Sequence, residues 1–167
     1  ACTELPNPAT PSGLDWTEPA DPQGGRPEAW TNITEPVVTF GSTDVRYPRS
    51  TPYADDVSES HTLAGWRGEK VSAQIVVSTP DSIGGLQCRI GDFQTAAGTP
   101  LRDIARARFV KYVISDRFLP ERPCGDRPKG NPAHLEADLL DEISTFDVPA
   151  RSTRPIWITV AIPRDAV

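Results

Sequence analysis

The stretch Lys70-Val-Ser-Ala-Gln-Ile-Val-Val-Ser78 decides the fold class, because Val71, Ala73, Ile75 and Val77 alternate with Lys70, Ser72, Gln74 and Ser78. A period of two puts the first set on one face of a β-strand, which must then cover a core. The same signal recurs on both sides of this stretch. Upstream, Pro36-Val-Val-Thr-Phe40 is a short β-branched run stopped by Gly41-Ser42. Downstream, Gly85 to Ile90 turns Leu86, Cys88 and Ile90 inward, and Arg106 to Asp116 is a longer strand carrying Phe109, Val110, Tyr112, Val113 and Ile114. Pro155 to Ile162 sets Ile156, Ile158, Val160 and Ile162 on one face. Ala133 to Phe146 is the exception, since Leu135, Leu139, Leu140 and Ile143 have helix-like spacing, enough for two or three turns before Ser144-Thr145. Five or more strands between Gly, Pro and Asp turns, with at most one short helix, predict an all-β antiparallel β-sandwich of the immunoglobulin or jelly-roll kind. Its expected core includes Val71, Ala73, Ile75, Val77, Leu86, Val110, Tyr112, Ile158 and Val160.

Composition points the same way. The chain has 167 residues with 18 Pro and 12 Gly, a content that disfavours long helices. No run approaches the ~20 apolar residues of a membrane-spanning helix. With 17 basic against 23 acidic residues, a net charge of -6 and no Lys/Arg cluster, nucleic acid is not an expected partner. Residues 1–35 concentrate the acidity: Glu4, Asp15, Glu18, Asp21, Glu28 and Glu35 face Arg26 alone, amid six prolines and no apolar periodicity. This part reads as an acidic, Pro-rich tether or wrapping arm ahead of a β-sandwich domain spanning 36–167. Trp16 and Trp30 are the groups that would anchor it to the domain surface.

Candidate chemistry is sparse. Cys2 precedes a proline-rich spacer as the lipidated cysteine of a bacterial lipoprotein does, which predicts a lipid anchor, the one expected contact with a membrane, the alternative being an ordinary free cysteine in a tail. The location would then be the cell envelope or the exterior, at the outer membrane or in the periplasm. There Cys88 and Cys124 form a disulfide or remain two separate thiols, and both readings stay open. Asp55-Asp56 with Glu59, and Asp138 with Asp141-Glu142, are acidic clusters of the sort acid/base chemistry uses, but their polar settings read as solvated surface. Cys124, His134 and His61 or Cys88 lack ligand spacing, so no metal and no cofactor is expected. Trp66, Trp157 and Tyr112 could stack on sugar rings if they line a shallow groove; strand-flanking aromatics otherwise pack in a core or interface.

The run Trp66-Arg-Gly-Glu-Lys-Val-Ser-Ala-Gln74 and then Arg108-Phe-Val-Lys-Tyr-Val113, Cys124-Gly125, Asp138-Leu-Leu-Asp141 and Ser152 to Val160, ending in Ile162-Pro163, resemble the N-terminal β-sandwich of bacterial proteins similar to glycoside hydrolase family 123. The resemblance runs from about Val37 to the C-terminus. It implies that the sandwich precedes a (β/α)8 barrel, which carries the adjacent acidic pair that hydrolyses N-acetylgalactosaminides. A barrel needs about 250 residues and keeps its catalytic groups on its own loops. The chain is thus expected to be a non-catalytic accessory domain of a secreted glycoside hydrolase-like protein of carbohydrate metabolism, ending before its last strand and partnered by the missing C-terminal barrel of the same polypeptide. Arg122 and Arg127, in a Pro-restrained loop with Cys124, are the expected barrel-facing residues. The alternative is an independent carbohydrate-binding module that takes glycans on exposed aromatics. An enzyme in its own right would need two inward-facing acids in one cleft.

Overall fold

The computed structural model describes residues 16–54, 56–115 and 133–166. Nine strands are described: β1 Val37–Gly41, β2 Lys70–Thr79, β3 Ile83–Leu86, β4 Phe93–Gln94, β5 Pro100–Leu101, β6 Ala105–Ser115, β7 His134–Asp141, β8 Phe146–Val148 and β9 Ser152–Ala161, with one 3-10 turn at Pro27–Trp30. β1, β2, β9, β6 and β7 lie side by side in a five-stranded sheet, while β3 with β8 and β4 with β5 form two small ones, and every pairing is antiparallel. The fold is an all-β sandwich with unequal layers.

Alternation in the long strands builds the joint between the layers. Ile75 pairs with Ile156, and Ile156 with Phe109, so their side chains share one face of the large sheet. Val77, Phe109 and Ile156 are buried there under Ile83, Leu86, Cys88, Ile143 and Phe146 of the thin layer. The Phe109 and Phe146 rings stack across the joint with centroids 5.6 Å apart. Of the expected core, Ala73, Val77, Val110 and Tyr112 are buried, whereas Val71, Ile75, Leu86, Ile158 and Val160 are half-buried, because the thin layer covers only part of the face.

The second face of the large sheet is covered too. The alternation assigns Gln74 and Ser78 to solvent, yet both are buried, and Val76 is fully so. Residues 42–53 lie across them. Gln74 Nε2 donates to the Ser42 and Val45 carbonyls at 2.7 and 3.1 Å. Tyr53 N–H donates to Ser78 Oγ at 2.9 Å, and Thr153 Oγ1 donates to the Thr51 carbonyl at 2.7 Å. The Trp30 indole N–H reaches the Ser50 carbonyl at 2.9 Å, which fixes the 3-10 turn against the same segment.

Two elements differ from the sequence reading. Ala133 to Phe146 holds strand β7, not helical turns. The register against β6 slips between Lys111 and Tyr112, whose partners are Leu139 and Ala137, so Asp138 is an extra residue. A bulge of this kind shifts the inward positions by one. Leu135 and Ala137 point to the Tyr112 side before it and Leu140 to the Val110 side after it, a spacing that imitates a helix. The strand expected at 85–90 ends at Leu86 opposite Phe146, while Cys88 and Ile90 stay half-buried without a ladder partner.

The β6–β9 ladder stops at Phe109 opposite Ile156, and Pro155, which has no N–H to give, stands at the first β9 position past it. Arg154 fills the opening. Its Nη1 donates to the Val110 carbonyl at 2.7 Å and its Nη2 to Glu18 Oε2 at 2.9 Å, with Nη1 also bonded to Glu18 Oε1. Glu18 Oε1 in turn accepts the Tyr112 N–H at 3.0 Å. Side chains thus replace the missing ladder bonds. Arg154 is fully buried between the Tyr112 and Phe146 rings, 5.0 and 4.0 Å from their centroids.

Candidate functional site

Trp157 follows Ile156 and therefore points to the opposite face of the large sheet, level with Gln74 on β2 and Arg108 on β6. It packs against Val110, Tyr112 and Ala137 and stays half-buried. Beside it the covering segment and β7 leave an open cleft of about 240 Å³, lined by Trp157, Val110, Leu140, Val45, Gln74 and the Arg46–Asp138 pair among others. Val45 and Leu140 are 44% and 40% exposed, so apolar surface faces water here. Arg46 Nη2 meets Asp138 Oδ1 at 2.9 Å on the rim. Asp138 is the bulged residue of β7, and the bulge is what turns its carboxylate toward Arg46. Both amide hydrogens of Gln74 serve the covering segment, which leaves its carbonyl oxygen to accept.

Asp138 is the one carboxylate among the described residues lining the cleft, and hydrolysis by paired carboxyls needs two. Asp141, expected at a solvated surface, is instead buried on the other face and joined to Lys111 Nζ at 2.6 Å. Glu142 lies 3.2 Å from Arg106 and 3.7 Å from Arg108.

The aromatic candidates separate. Tyr112 is fully buried, as the expected core has it, with its hydroxyl 2.9 Å from both the Tyr47 and Thr153 carbonyls, so it offers no ring face to a ligand. Burial pushes its phenol far above the ordinary range, against the opposing charge of Arg154. Trp66 is 83% exposed on the turn before β2. The turn is stiff: Trp66 N–H donates to Glu69 Oε2 at 2.7 Å, Glu69 N–H to the Trp66 carbonyl at 3.0 Å, and Gly68 N–H to the Ile162 carbonyl at 2.9 Å. Gly68 has φ +80 and carries the Arg164 stem where a side chain would stand, which explains the glycine in Trp-x-Gly-Glu. Cys88 is half-buried, and burial pushes its thiol up. Cys2, Arg122, Cys124 and Arg127 lie outside the described residues. Sequence reasoning does not find Arg46, Gln74 or Leu140, because the segment that brings them together has no periodicity.

A family model described as the glycoside hydrolase 123 N-terminal domain matches residues 40–167. The chain belongs to that family. Glu18 lies ahead of the matched region, so this member of the glycoside hydrolase 123 N-terminal domain family draws one partner of its buried arginine from outside it. The fold is similar to a solved family 123 glycoside hydrolase from Clostridium perfringens, studied for glycolipid glycan hydrolysis, with a TM-score of 0.66 and 16% identity over 79% of this chain. The chain spans 22% of the length of that structure. No curated protein matches significantly.

Proposed function

We propose that this chain is the non-catalytic N-terminal accessory domain of a glycoside hydrolase whose catalytic part follows in the same polypeptide and resembles N-acetylgalactosaminidases. The observation that carries this reading is the Trp66 turn. A bare indole on a stiff turn loses little freedom on docking, and such aromatic anchors dominate interfaces. The turn is bonded to Ile162 and packed on Arg164, so chain continuing past that point emerges beside Trp66. The similarity to the Clostridium perfringens enzyme, which is much longer than this chain, supports the same arrangement, as does that enzyme's work on glycolipid glycans. We propose separately, from Cys2 and the proline-rich spacer after it, that a lipid on Cys2 holds the protein at the cell envelope.

The test compares the isolated chain with the longer polypeptide. Aryl N-acetylgalactosaminide turnover is expected only from the latter, and Trp66→Ala should lower its thermal midpoint while leaving that of the isolated chain nearly unchanged. Turnover by the isolated chain that disappears in Asp138→Asn would overturn the assignment. Palmitate labelling that survives Cys2→Ser would exclude the anchor.

A further inference from the structure

We propose that the Trp157 cleft is a binding site for one neutral sugar ring at the end of a glycan. This goes beyond the accessory reading and stands on the geometry of the cleft itself. Three observations lead there. The first is shape: at about 240 Å³ and open to solvent, the cleft takes a single ring rather than an oligosaccharide held end to end or a polypeptide segment. The second is the floor. Trp157 is braced by Val110, Tyr112 and Ala137, and exposed Leu140 and Val45 extend the apolar surface around it. A pyranose presents C–H groups on one face and hydroxyls around its edge, so it satisfies an indole and a polar rim together, which a purely apolar ligand would not.

The third observation is the rim. Arg46 and Asp138 are each more than half exposed and bond one another at 2.9 Å. Neighbouring hydroxyls can replace that bond, donating to the carboxylate and accepting from the guanidinium, while the Gln74 carbonyl accepts a further hydroxyl. The two rim charges cancel, which favours a neutral ligand over a phosphate or a uronate. A family of glycoside hydrolase N-terminal domains is a setting in which such a ligand is at hand.

The test uses the four indole N–H resonances of Trp16, Trp30, Trp66 and Trp157 in the 15N-labelled chain, titrated with galactose, N-acetylgalactosamine and glucose. A saturable shift of the Trp157 signal is expected for at least one of them, with a dissociation constant on the order of 1 mM given how few atoms one ring has. Arg46→Ala and Asp138→Ala, both on the exposed rim, should weaken it about tenfold with the spectrum otherwise preserved. Trp157→Ala should abolish it. Should that variant fail to fold, Trp157→Phe, which keeps part of the packing, should weaken binding several-fold. Silence of the Trp157 signal to about 100 mM of all three sugars overturns the proposal. So does a shift confined to Trp66, or binding indifferent to Arg46→Ala and Asp138→Ala.

Discussion

Glu18 and Arg154, 136 residues apart in the chain, bond through both prongs of carboxylate and guanidinium inside the wedge where β9 leaves β6. Arg49 approaches the same carboxylate at 3.5 Å and donates to the Pro19 carbonyl at 3.1 Å. A buried guanidinium is costly unless its donors are paired, and here Nη1 and Nη2 are while, among the described residues, the buried Nε is not. This one is the joint between the acidic arm and the sheet.

Removing one partner should therefore cost more than an average substitution. Glu18→Ala leaves Arg154 buried and the Tyr112 N–H without an acceptor, and should destabilise the chain by about 3–5 kcal/mol in urea denaturation. Deleting residues 1–35 should cost at least as much. Arg154→Met combined with Glu18→Ala should cost less than the two changes summed, because no orphan charge remains. It should not return to the parent stability, because the Val110 carbonyl and Tyr112 N–H still lose their bonds.

The same pair sets an acid dependence. Burial alone would push Glu18 up, but the hydrogen bond and charge of Arg154, the Tyr112 N–H and the charge of Arg49 together hold its carboxyl below the usual range. A carboxyl with a depressed folded pKa adds stability that is fully present above its unfolded value of about 4.3 and lost as pH falls through the folded value. The stability gap between the parent and Glu18→Gln should be widest near neutrality and narrow below about pH 4. A gap that stays constant down to the acid transition would contradict this account.

Lys111 and Asp141 make a second buried pair, 2.6 Å apart on the face that carries Phe109. Lys111→Ala should leave an unpaired buried carboxylate and cost about 3–5 kcal/mol, whereas replacing both by apolar residues of similar volume should be far milder. A double-mutant cycle in urea checks it, and additive costs would mean that the two side chains do not interact.

What the sequence discloses follows from how local each signal is. The alternation in β2 is local and legible, and it places Ala73, Ile75 and Val77 on the right face. The burial of Gln74, Val76 and Ser78 is not legible, because residues 42–53 cover them with polar side chains and turns that carry no period. Only the three consecutive apolar residues Ile75-Val-Val77 hint that both faces of the strand are covered. β7 hides behind its bulge, which breaks the period of two at Asp138. Arg154 looks like an ordinary strand-surface residue, since the carboxylate that admits it to the core comes from an arm with no pattern of its own. At the candidate site Trp157 is visible as an aromatic on a strand, but its rim depends on a bulge and a covering segment that composition does not reveal.

Gly41 controls how that covering segment sits. A Cβ there would meet the Tyr47 hydroxyl, and also Tyr47 Cζ and Val76 Cγ2 at 2.8 Å, contacts that no real side chain tolerates. Tyr47 is buried against this spot, its hydroxyl accepts the Ser42 N–H at 2.8 Å, and its own carbonyl lies 2.9 Å from the Tyr112 hydroxyl. Ring and segment are therefore tied to one another by these bonds. Gly41→Ala should displace Tyr47 and destabilise the chain by about 1–3 kcal/mol. Tyr47→Phe alone should cost about 1 kcal/mol, for the unpaired Ser42 N–H. In the double variant the hydroxyl is gone but Cζ still blocks the methyl, so the combined loss should fall short of the sum without vanishing. Thr43, Val45 and Arg46 line the Trp157 cleft from this same segment. Gly41→Ala should accordingly shift the Trp157 indole resonance even without ligand, and an unchanged resonance would show that the segment does not move with Tyr47.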